Sequence, residues 1–522
     1  MRSRFGRPLC AVLAAATLAV AGCSAGSRAT SGATSGGAGN ATGSGATQGG
    51  TSGGQPQSLS IGFVAEPASL DFSKNDGAAI PQVLLYNVYE GLVKLDSGGD
   101  IKPLLAKSWT ISKDRKTYMF TLQPNATFSS GAKFTAADAV FSINRVKTAW
   151  TISLKSGMDV VKDAKALSAT KLQVDLKAPS NSWLYAMTSR IGAMFSRTGV
   201  ANLATKPVGT GPYTLQRWNR GDSIILQRNA QYWGQQPAVQ TVTFKYFNDP
   251  TAMNNALLTG GINVVSTVQA PQSLAQFKNN SKYQIIDGTS TGEVVLSFNN
   301  SRPPLTDKRV RQAINYAIDK KALIKTAWAG YGTPIGSMVP PTDPWYQNLN
   351  GLYPYSQDKA RKLLARSGHS KLTLRLRIPN LPYAVASAQV VKSDLAQVGI
   401  TANIDTLEFP ARWLDVVFTK ADYDMSIINH VEPRDLPALF GNPKYYLRYD
   451  NPAVQKLITA ADEGTVRNQI TDMQKAARTI ATDAGADFLF LFPNLEVADT
   501  DVHGLPKNAV TESFDVTGLS RG

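Results

Sequence analysis

The sequence predicts a mixed α/β fold for residues 58–522, preceded by an N-terminal stretch that lacks the composition to fold. Three observations lead to this expectation. The chain has 522 residues, enough for roughly three domains of about 150 residues each. Its composition, 43% hydrophobic and 18% charged, is typical of a globular body with large cores. Beyond residue 58, segments with strand periodicity are mixed with helical segments and joined by short connections, which favours an α/β class over a bundle or sandwich.

Both strands and helices are predicted in the first part of the chain after residue 58. Leu59–Val64 alternates as a strand, and Tyr86–Leu95 has the pattern of a helix end running into a strand. Tyr118–Leu122 is a further strand. A helix is predicted from Thr135 to Val146, because Thr135 suits an N-cap and Asp138 stands at the N3 position of a capping box.

The mixed pattern continues into the middle of the chain. Further strands are predicted at Lys171–Leu176, Tyr213–Trp218, Ser223–Arg228, Gln240–Phe247 and Glu293–Phe298. Helices are predicted around Thr251–Leu258 and Asp307–Ala327. The sequence contains no internal repeat, so these elements are expected to build a single non-repetitive body.

Residues 1–22 have the layout of a secretory signal peptide. Met1–Arg7 is basic, and the apolar run Pro8–Ala21 is too short to span a bilayer as a helix. The run ends in Val20-Ala21-Gly22-Cys23, which resembles the lipobox of bacterial lipoproteins. The resemblance implies diacylglyceryl transfer to the Cys23 thiol, cleavage before it, and a lipoprotein exported to the outer face of the cytoplasmic membrane. The alternative is an ordinary signal peptide with an incidental cysteine.

Residues 23–57 are predicted to be the lipidated cysteine and a disordered tether. Residues 24–57 consist almost wholly of Ser, Gly, Ala, Thr, Gln and Asn, with Arg28 as the single charge, and such a stretch buries too little apolar surface to fold. As a flexible coil it spans roughly 30–35 Å root-mean-square. A body held by this tether would work close to the membrane surface.

Charge and cysteine usage narrow the functional classes. The formal net charge is +16, but the chain has no long run of Lys and Arg and no basic stretch interleaved with aromatic residues, so nucleic acid is not an expected partner. A basic face near an anionic membrane fits the charge better. The only cysteines are Cys10 and Cys23, which leaves the body without a disulfide or a thiolate metal site.

Several blocks along 58–522 resemble family 5 of the bacterial extracellular solute-binding proteins, which includes dipeptide, oligopeptide and nickel binders. The blocks appear in family order, which makes a chance match improbable. They are Glu66-Pro67-Ala-Ser-Leu70-Asp71, Tyr89-Glu90-Gly91-Leu92, Pro103-Leu-Leu-Ala-Lys-Ser-Trp109, Phe128-Ser-Ser-Gly131, Phe134-Thr-Ala-Ala-Asp138, Pro207-Val-Gly209-Thr-Gly211-Pro212-Tyr213, Tyr232-Trp233-Gly234, Phe298-Asn299-Asn300, and Arg309-Val-Arg311 through Asp319. Most of these motifs are expected to be scaffold that does not contact ligand.

The resemblance implies a two-lobe periplasmic-binding-protein-like clamshell (class II, cluster C type) with an extra small domain. Lobe I would combine 58–92, 206–290 and 489–522, the accessory domain would be 93–205, and lobe II would be 291–488. The lobe crossings near 290 and 488 would act as hinges. The implied function is to capture a peptide-like solute and deliver it to the permease and ATPase subunits of an ABC importer, as a monomer, without cofactor and without catalysis.

The ligand site implied by the resemblance lies in lobe II. In peptide-binding members, an Asp-Tyr-Asp-like strand is followed by a Gly-Trp pair and an acidic residue that holds the peptide's α-ammonium. Here Asp422-Tyr423-Asp424 matches the strand, but Asn429-His430 replaces Gly-Trp. Glu432 and Asp435 are the candidate acids, and Arg434 is a candidate for a ligand carboxylate. Tyr445 and Tyr446 are candidate pocket residues. The competing interpretation is a solvated loop of mixed charge, with the tyrosines in a core.

The sequence is also compatible with other cargoes and with one enzymatic function. A nickel or metallophore cargo would have only His369, His430 and His503 available, so a direct tetrahedral metal site in the protein is not expected. Haem or another hydrophobic cargo is a further alternative. Gly288-Thr-Ser290-Thr-Gly292 matches the nucleophile elbow of serine hydrolases, but that elbow needs a helix after the turn, and a strand is predicted there.

Overall fold

The structure is a computed structural model that describes residues 57–75 and 77–522. The predicted signal peptide, Cys23 and the tether before residue 57 lie outside these residues. Across the described ranges, no helix has both the length and the apolar character needed to cross a bilayer.

Strands are distributed along the whole described chain. In chain order they are β1 (Ser58–Phe63), β2 (Val93–Leu95), β3 (Ile101–Pro103), β4 (Ala106–Ile111), β5 (Thr117–Leu122), β6 (Val161–Ser168), β7 (Lys171–Leu176), β8 (Tyr213–Asn219), β9 (Ser223–Arg228), β10 (Thr241–Tyr246), β11 (Val264–Val265), β12 (Tyr283–Phe298), β13 (Leu372–Pro379), β14 (Ile400–Leu407), β15 (Met425–His430), β16 (Ala486–Asp499), β17 (Val502–His503) and β18 (Ser520–Arg521).

Helices alternate with these strands. They are α1 (Ala79–Leu84), α2 (Ala136–Ala149), α3 (Trp183–Ala186), α4 (Pro250–Leu258), α5 (Ala275–Lys278), α6 (Lys308–Ala317), α7 (Lys320–Ala327), α8 (Gln357–Arg366), α9 (Pro382–Ala396), α10 (Ala411–Trp413), α11 (Leu436–Phe440), α12 (Pro452–Glu463) and α13 (Val466–Thr482). Short 3₁₀ helices cover Ser153–Met158, Arg190–Gly192, Gly199–Asn202 and Pro271–Leu274, and a π-helical turn covers Leu414–Thr419.

One ten-stranded sheet runs through the body, in the order β14-β13-β15-β12-β16-β11-β1-β10-β9-β8. It mixes parallel pairs, such as β1 with β10 and β13 with β14, with antiparallel pairs, such as β12 with β15 and β16. A separate four-stranded antiparallel sheet, β4-β5-β7-β6, lies within the predicted accessory segment. The mixed α/β class is therefore confirmed.

Two long strands connect the halves of the large sheet. β12 and β16 pair antiparallel, from Tyr283 opposite Asp499 to Ser297 opposite Ala486. The ladder shifts register between Thr289 and Glu293, so residues 290–292 leave the β12–β16 pairing. The lobe crossings predicted near 290 and 488 fall inside these two strands.

The cores follow the two faces of the sheet in the predicted lobe II. Alternate residues of β12 (Val294, Leu296 and Phe298) are buried in one cluster, while Val295 is buried in another cluster on the opposite face. This is the period-2 alternation of a strand covered on both sides. In contrast, one core cluster spans the predicted lobe I and accessory segments and contains both Leu59 and Phe120, and a further cluster around Leu257 and Phe277 lies within predicted lobe I.

Local sequence rules explain several element boundaries. α2 begins after Thr135, and the carboxylate of Asp138 accepts hydrogen bonds from the Thr135 backbone N–H (3.0 Å) and hydroxyl (2.8 Å), as the capping box predicts. The helix predicted over Asp307–Ala327 is instead two helices, α6 and α7. Asp319 separates them, because its carboxylate caps Lys321 N and Ala322 N at 3.0 Å.

The Tyr86–Leu95 prediction is correct only at its strand end. α1 ends at Leu84, and β2 begins at Val93. Between them Tyr86 has a positive φ of 65°, which ends helical geometry. The predicted strand at Glu293–Phe298 is confirmed as the second half of β12. The nucleophile elbow needs a helix there, so Ser290 lacks the setting of a hydrolase nucleophile.

Candidate functional site

The candidate site begins where β15 ends. Six residues of β15 pair with β12, and the last pair places His430 directly opposite Glu293. Directly opposed residues of antiparallel strands present their side chains on the same face. The loop 431–435 then leads into α11, and Arg434 in this loop has a positive φ of 58°. The strand and the sharp loop together bring the predicted site residues to the C-terminal end of β15, which lies between β13 and β12 in the large sheet.

His430 is buried and held in a fixed orientation. It is 7% exposed, and its Nε2 lies 2.8 Å from the Tyr446 hydroxyl, which in turn lies 2.7 Å from Oγ of Ser297. Burial lowers the pKa of His430 to about 3, so the imidazole is neutral at physiological pH. Its Nδ1 is 3.7 Å from Oδ2 of Asp435, beyond hydrogen-bonding distance.

Three carboxyl groups surround this histidine, and we call Glu293, Glu432 and Asp435 the carboxyl cluster. One donor atom each from His430, Glu432 and Asp435 lies within 4.8 Å of the other two. Burial raises the pKa of all three carboxyl groups, and neighbouring carboxyl charges raise those of Glu293 and Asp435 further. Oε2 of Glu293 and Oδ2 of Asp435 are buried without a hydrogen-bond partner. The cluster is therefore rich in acceptors and short of donors.

Arg434 already has a carboxylate partner. Its Nε is 3.3 Å from Oδ1 of Asp343, and its guanidinium carbon lies 3.8 Å from the ring centre of Tyr185 and 5.0 Å from that of Trp345. Burial raises the pKa of Asp343 to about 6, and Arg434 opposes that rise. The expectation that Arg434 receives a ligand carboxylate stays a prediction, and such a ligand would share the guanidinium with Asp343.

A second arginine–carboxylate pair faces the cluster from another part of the chain. Arg190 and Glu512 have side chains only 1% and 5% exposed, and Glu512 accepts from the Nε (2.9 Å) and backbone N–H (3.0 Å) of Arg190. The positive charge of Arg190 lowers the pKa of Glu432 against the effect of burial, which places the pair near the cluster. Residues from the predicted lobe I, accessory segment and lobe II therefore meet here.

The remaining candidates are distributed around this centre. Tyr446 is 1% exposed and belongs to a lobe II core cluster, whereas Tyr445 is half-buried and packs on Phe418 at 5.2 Å between ring centres. The Asn429 backbone N–H donates to the Tyr383 hydroxyl at 3.0 Å, and its side-chain Oδ1 is buried without a partner. Asn429 pairs with Val294, so its side chain lies on the sheet face opposite to that of His430.

The sequence predicts the loop 431–435 as part of the site but not the groups that face it. Glu293, Asp343, Tyr185, Arg190 and Glu512 were not predicted. Only Glu293 had a usable signal: it is the one charge in the strand Glu293-Val-Val-Leu-Ser-Phe298. A charge at the start of a doubly buried strand calls for a partner or a function.

A separate polar contact joins the predicted accessory segment to lobe II, and we call it the Asn181–Asp462 contact. The Asn181 amide donates to the carbonyls of Ala461 and Gly464, both at 2.9 Å. The Asp462 carboxylate accepts from the Ser180 hydroxyl and the Ser182 N–H, both at 2.8 Å. Arg115 completes the set with a 2.9 Å bond to Oδ1 of Asn181.

The large shared sheet, the two long connecting strands and a buried polar site between segments define a binding protein. The chain belongs to the bacterial extracellular solute-binding proteins, family 5, whose model matches residues 100–449. This family consists of solute-binding proteins, not enzymes.

Individual relatives bind different solutes. The chain is 32% identical over 347 residues to the nickel-binding periplasmic protein of Escherichia coli K12, covering 61% of this chain and 65% of that relative. It is 28% identical to the glutathione-binding protein GsiB of Salmonella typhimurium, covering 66% and 68%. The structure superposes on DppA of Helicobacter pylori in complex with the peptide STSA, with a TM-score of 0.80, 22% identity and coverage of 89% and 98%. The clamshell fold is thereby confirmed.

Proposed function

We propose that this chain captures a peptide-like solute between its lobes and delivers it to the permease and ATPase subunits of an ABC importer. Support comes from the family and from the meeting of three chain segments around one buried polar centre. The observation that carries the proposal is the pair Glu432 and Asp435 beside a neutral His430: no Lys or Arg of the described residues forms an ion pair with either acid, and Oδ2 of Asp435 is buried without a hydrogen-bond partner. A ligand ammonium would supply the missing donors, because it offers three N–H groups and a positive charge.

Mass spectrometry of ligand co-purified with the protein tests this assignment. We expect a peptide or amino-acid derivative with a free amine. Recovery of a metal chelate or of haem would replace the peptide assignment with one of the cargoes that the sequence left open.

The domain boundaries are part of the proposal. We assign lobe I to 58–92, 206–290 and 489–522, the accessory domain to 93–205, and lobe II to 291–488. Support comes from the register shift in β12 next to residue 290 and from the separate four-stranded sheet within 93–205. The protein would act as a monomer that closes on ligand. Small-angle scattering with and without ligand should show a more compact bound form, and identical profiles at saturation would contradict closure.

Export and anchoring rest on the N-terminal sequence. We propose that Cys23 is diacylated and that the mature chain begins there, at the outer face of the cytoplasmic membrane. The intact mass of protein extracted from membranes should include the lipid. A soluble mature form that starts at another residue would exclude the anchor.

A further inference from the structure

Glu293 occupies a position that no local structural need explains. It begins the second paired stretch of β12, is 2% exposed, and its Oε2 has no hydrogen-bond partner. Because it is directly opposite His430, its side chain lies on the same sheet face, with the two Cβ atoms about 4.5–5.5 Å apart. Its carboxyl group therefore borders the His430–Glu432–Asp435 group on the side of the hinge strands.

The carboxyl groups around this point outnumber the cations. Among the described residues of the site, Asp343 is paired with Arg434 and Glu512 with Arg190. That leaves Glu293, Glu432 and Asp435 without a bonded cation. Asp435 and Asp343 are the carboxyl groups that most strongly raise the pKa of Glu293. A ligand with a single ammonium would pair with only one of the three carboxyl groups.

The spacing of the donor atoms can be compared with the spacing that an ammonium or a metal ion requires. Acceptors that each bond a tetrahedral ammonium at about 2.9 Å lie about 4.7 Å apart. Ligands about 2.1 Å from a tetrahedral metal lie about 3.4 Å apart. In the structure the three donor atoms lie within 4.8 Å of one another, and Nδ1 of His430 is 3.7 Å from Asp435. The 3.7 Å separation lies between the two values, so the spacing is compatible with either occupant, and the ammonium is assigned on the proposed function.

We propose that Glu293 selects solutes whose bound end carries two positive charges, such as a peptide that begins with lysine. The α-ammonium binds among His430, Glu432 and Asp435, and the side-chain ammonium pairs with the unpartnered oxygen of Glu293. Lysine's flexible four-carbon stem lets its ammonium reach a carboxylate one side chain away. This inference rests on the proposed function and adds the class of peptide to it.

Calorimetry with two tripeptides of equal length and shape tests the proposal. Lys-Ala-Ala carries the second charge, and norleucine-Ala-Ala keeps the alkyl stem without it. We expect wild-type protein to bind Lys-Ala-Ala about tenfold more tightly or better, since a charge-assisted bond replaces an unpartnered acid. In Glu293→Gln the preference should fall below about threefold, while norleucine-Ala-Ala binds as well as before or better.

The matched control is Glu496→Gln in β16. Glu496 is also buried (2% exposed) and also has an unpartnered carboxyl oxygen, but it pairs with Ile286, about 20 Å along the strand from Glu293. We expect this variant to keep the wild-type preference. Glu293→Asp, which retains a carboxylate, should keep part of it, and thermal unfolding verifies that each variant is folded.

The alternative outcomes separate this inference from the proposed function. Equal binding of the two peptides by wild-type protein overturns the role of Glu293 and leaves the peptide assignment in place. Binding of neither peptide refutes the peptide assignment and this inference together. Tight binding of Zn²⁺ or Ni²⁺ alone, lost in Glu432→Gln, would replace both with a metal-binding site.

Discussion

Two polar regions lie where the predicted lobes and the accessory segment meet, and they differ in one respect. At the Asn181–Asp462 contact, all four side-chain N and O atoms of Asn181 and Asp462 have hydrogen-bond partners within the protein. In the carboxyl cluster, buried oxygens of Glu293 and Asp435 have none. A satisfied contact stabilises the arrangement of segments whether or not ligand is present. An unsatisfied cluster costs free energy until a ligand supplies donors and positive charge.

Because of this difference, we expect ligand affinity and closure of the segments to depend on different residues. Variants in the carboxyl cluster should act on what is bound, whereas variants in the Asn181–Asp462 contact should act on how often the segments are together. Measurements on the two regions therefore test whether binding and closure are carried by different residues.

The largest effect is expected from the cluster acids. With a ligand identified by mass spectrometry, Glu432→Gln or Asp435→Asn should lower affinity by more than about a hundredfold, because removing one partner of a buried charge pair costs about 3–5 kcal/mol. Calorimetry measures the change. If both variants bind within a factor of three of wild type, this loop does not hold an amine.

A smaller effect is expected from the second region. Asp462→Asn replaces one of the two carboxylate oxygens that accept from the Ser180 hydroxyl and the Ser182 N–H, and so weakens the contact that joins 180–182 to 461–464. Apparent affinity should fall about tenfold through a smaller population of the closed form. Stopped-flow binding should locate the change mainly in the dissociation rate. A variant with unchanged affinity and unchanged scattering profile would show that the contact does not control closure.

A pH effect should distinguish the two regions in ligand-free protein. The cluster carboxyls and Asp343 have pKa values raised above the ordinary range near 4, Asp343 to about 6. These carboxyl groups bind protons more tightly in the folded state than in the unfolded state. The stabilisation of the folded state that results is fully present below about pH 4 and is lost as the pH rises through the folded pKa values. The free energy of unfolding should fall between pH 4.5 and 7.5.

Urea denaturation of wild type and Asp435→Asn across that range measures this fall. In Asp435→Asn, the free energy of unfolding should fall less steeply with pH than in wild type, by up to about 1.4 kcal/mol per pH unit. An unchanged slope would mean that Asp435 does not hold its proton in the folded state.

The smallest effect is expected at the surface. The exposed pair Arg361–Asp358 (side chains 49% and 80% exposed) lies on α8, away from both regions. Asp358→Asn should change the free energy of unfolding by less than about 0.5 kcal/mol and leave ligand affinity unchanged. A larger change would indicate that general charge effects contribute to the other results.

Sequence predicted the parts of the molecule that depend on local pattern. The α2 capping box needs only Thr135 and Asp138, three residues apart, and it forms as predicted. The break between α6 and α7 was missed, although Asp319 is a good capping residue. The helical pattern on both sides obscured it, and the extended backbone at Ile318 is visible only in the structure.

Only the loop of the site that contains Glu432, Arg434 and Asp435 was predictable from the sequence. Glu432, Arg434 and Asp435 stood out because they occupy a loop where the chain departs from the peptide-binding pattern. The groups that face them come from distant parts of the chain, such as Arg190 and Glu512, which are themselves 322 residues apart. A pairing over that distance depends on the whole topology, and no window of sequence contains it.

The register shift in β12 lies beside the lobe crossing that we propose near residue 290. Residues 290–292 leave the β12–β16 ladder, so a rotation of the proposed lobes about this axis would have no backbone bonds of that ladder to break at these three residues, although it would strain the bond from the Ser290 hydroxyl to the Phe492 carbonyl. Glu293, the first residue to rejoin it, sits one residue beyond this axis. If the proposed lobes rotate there, a solute bound at Glu293 acts directly beside the pivot, and the angle between the lobes depends on the charge held there.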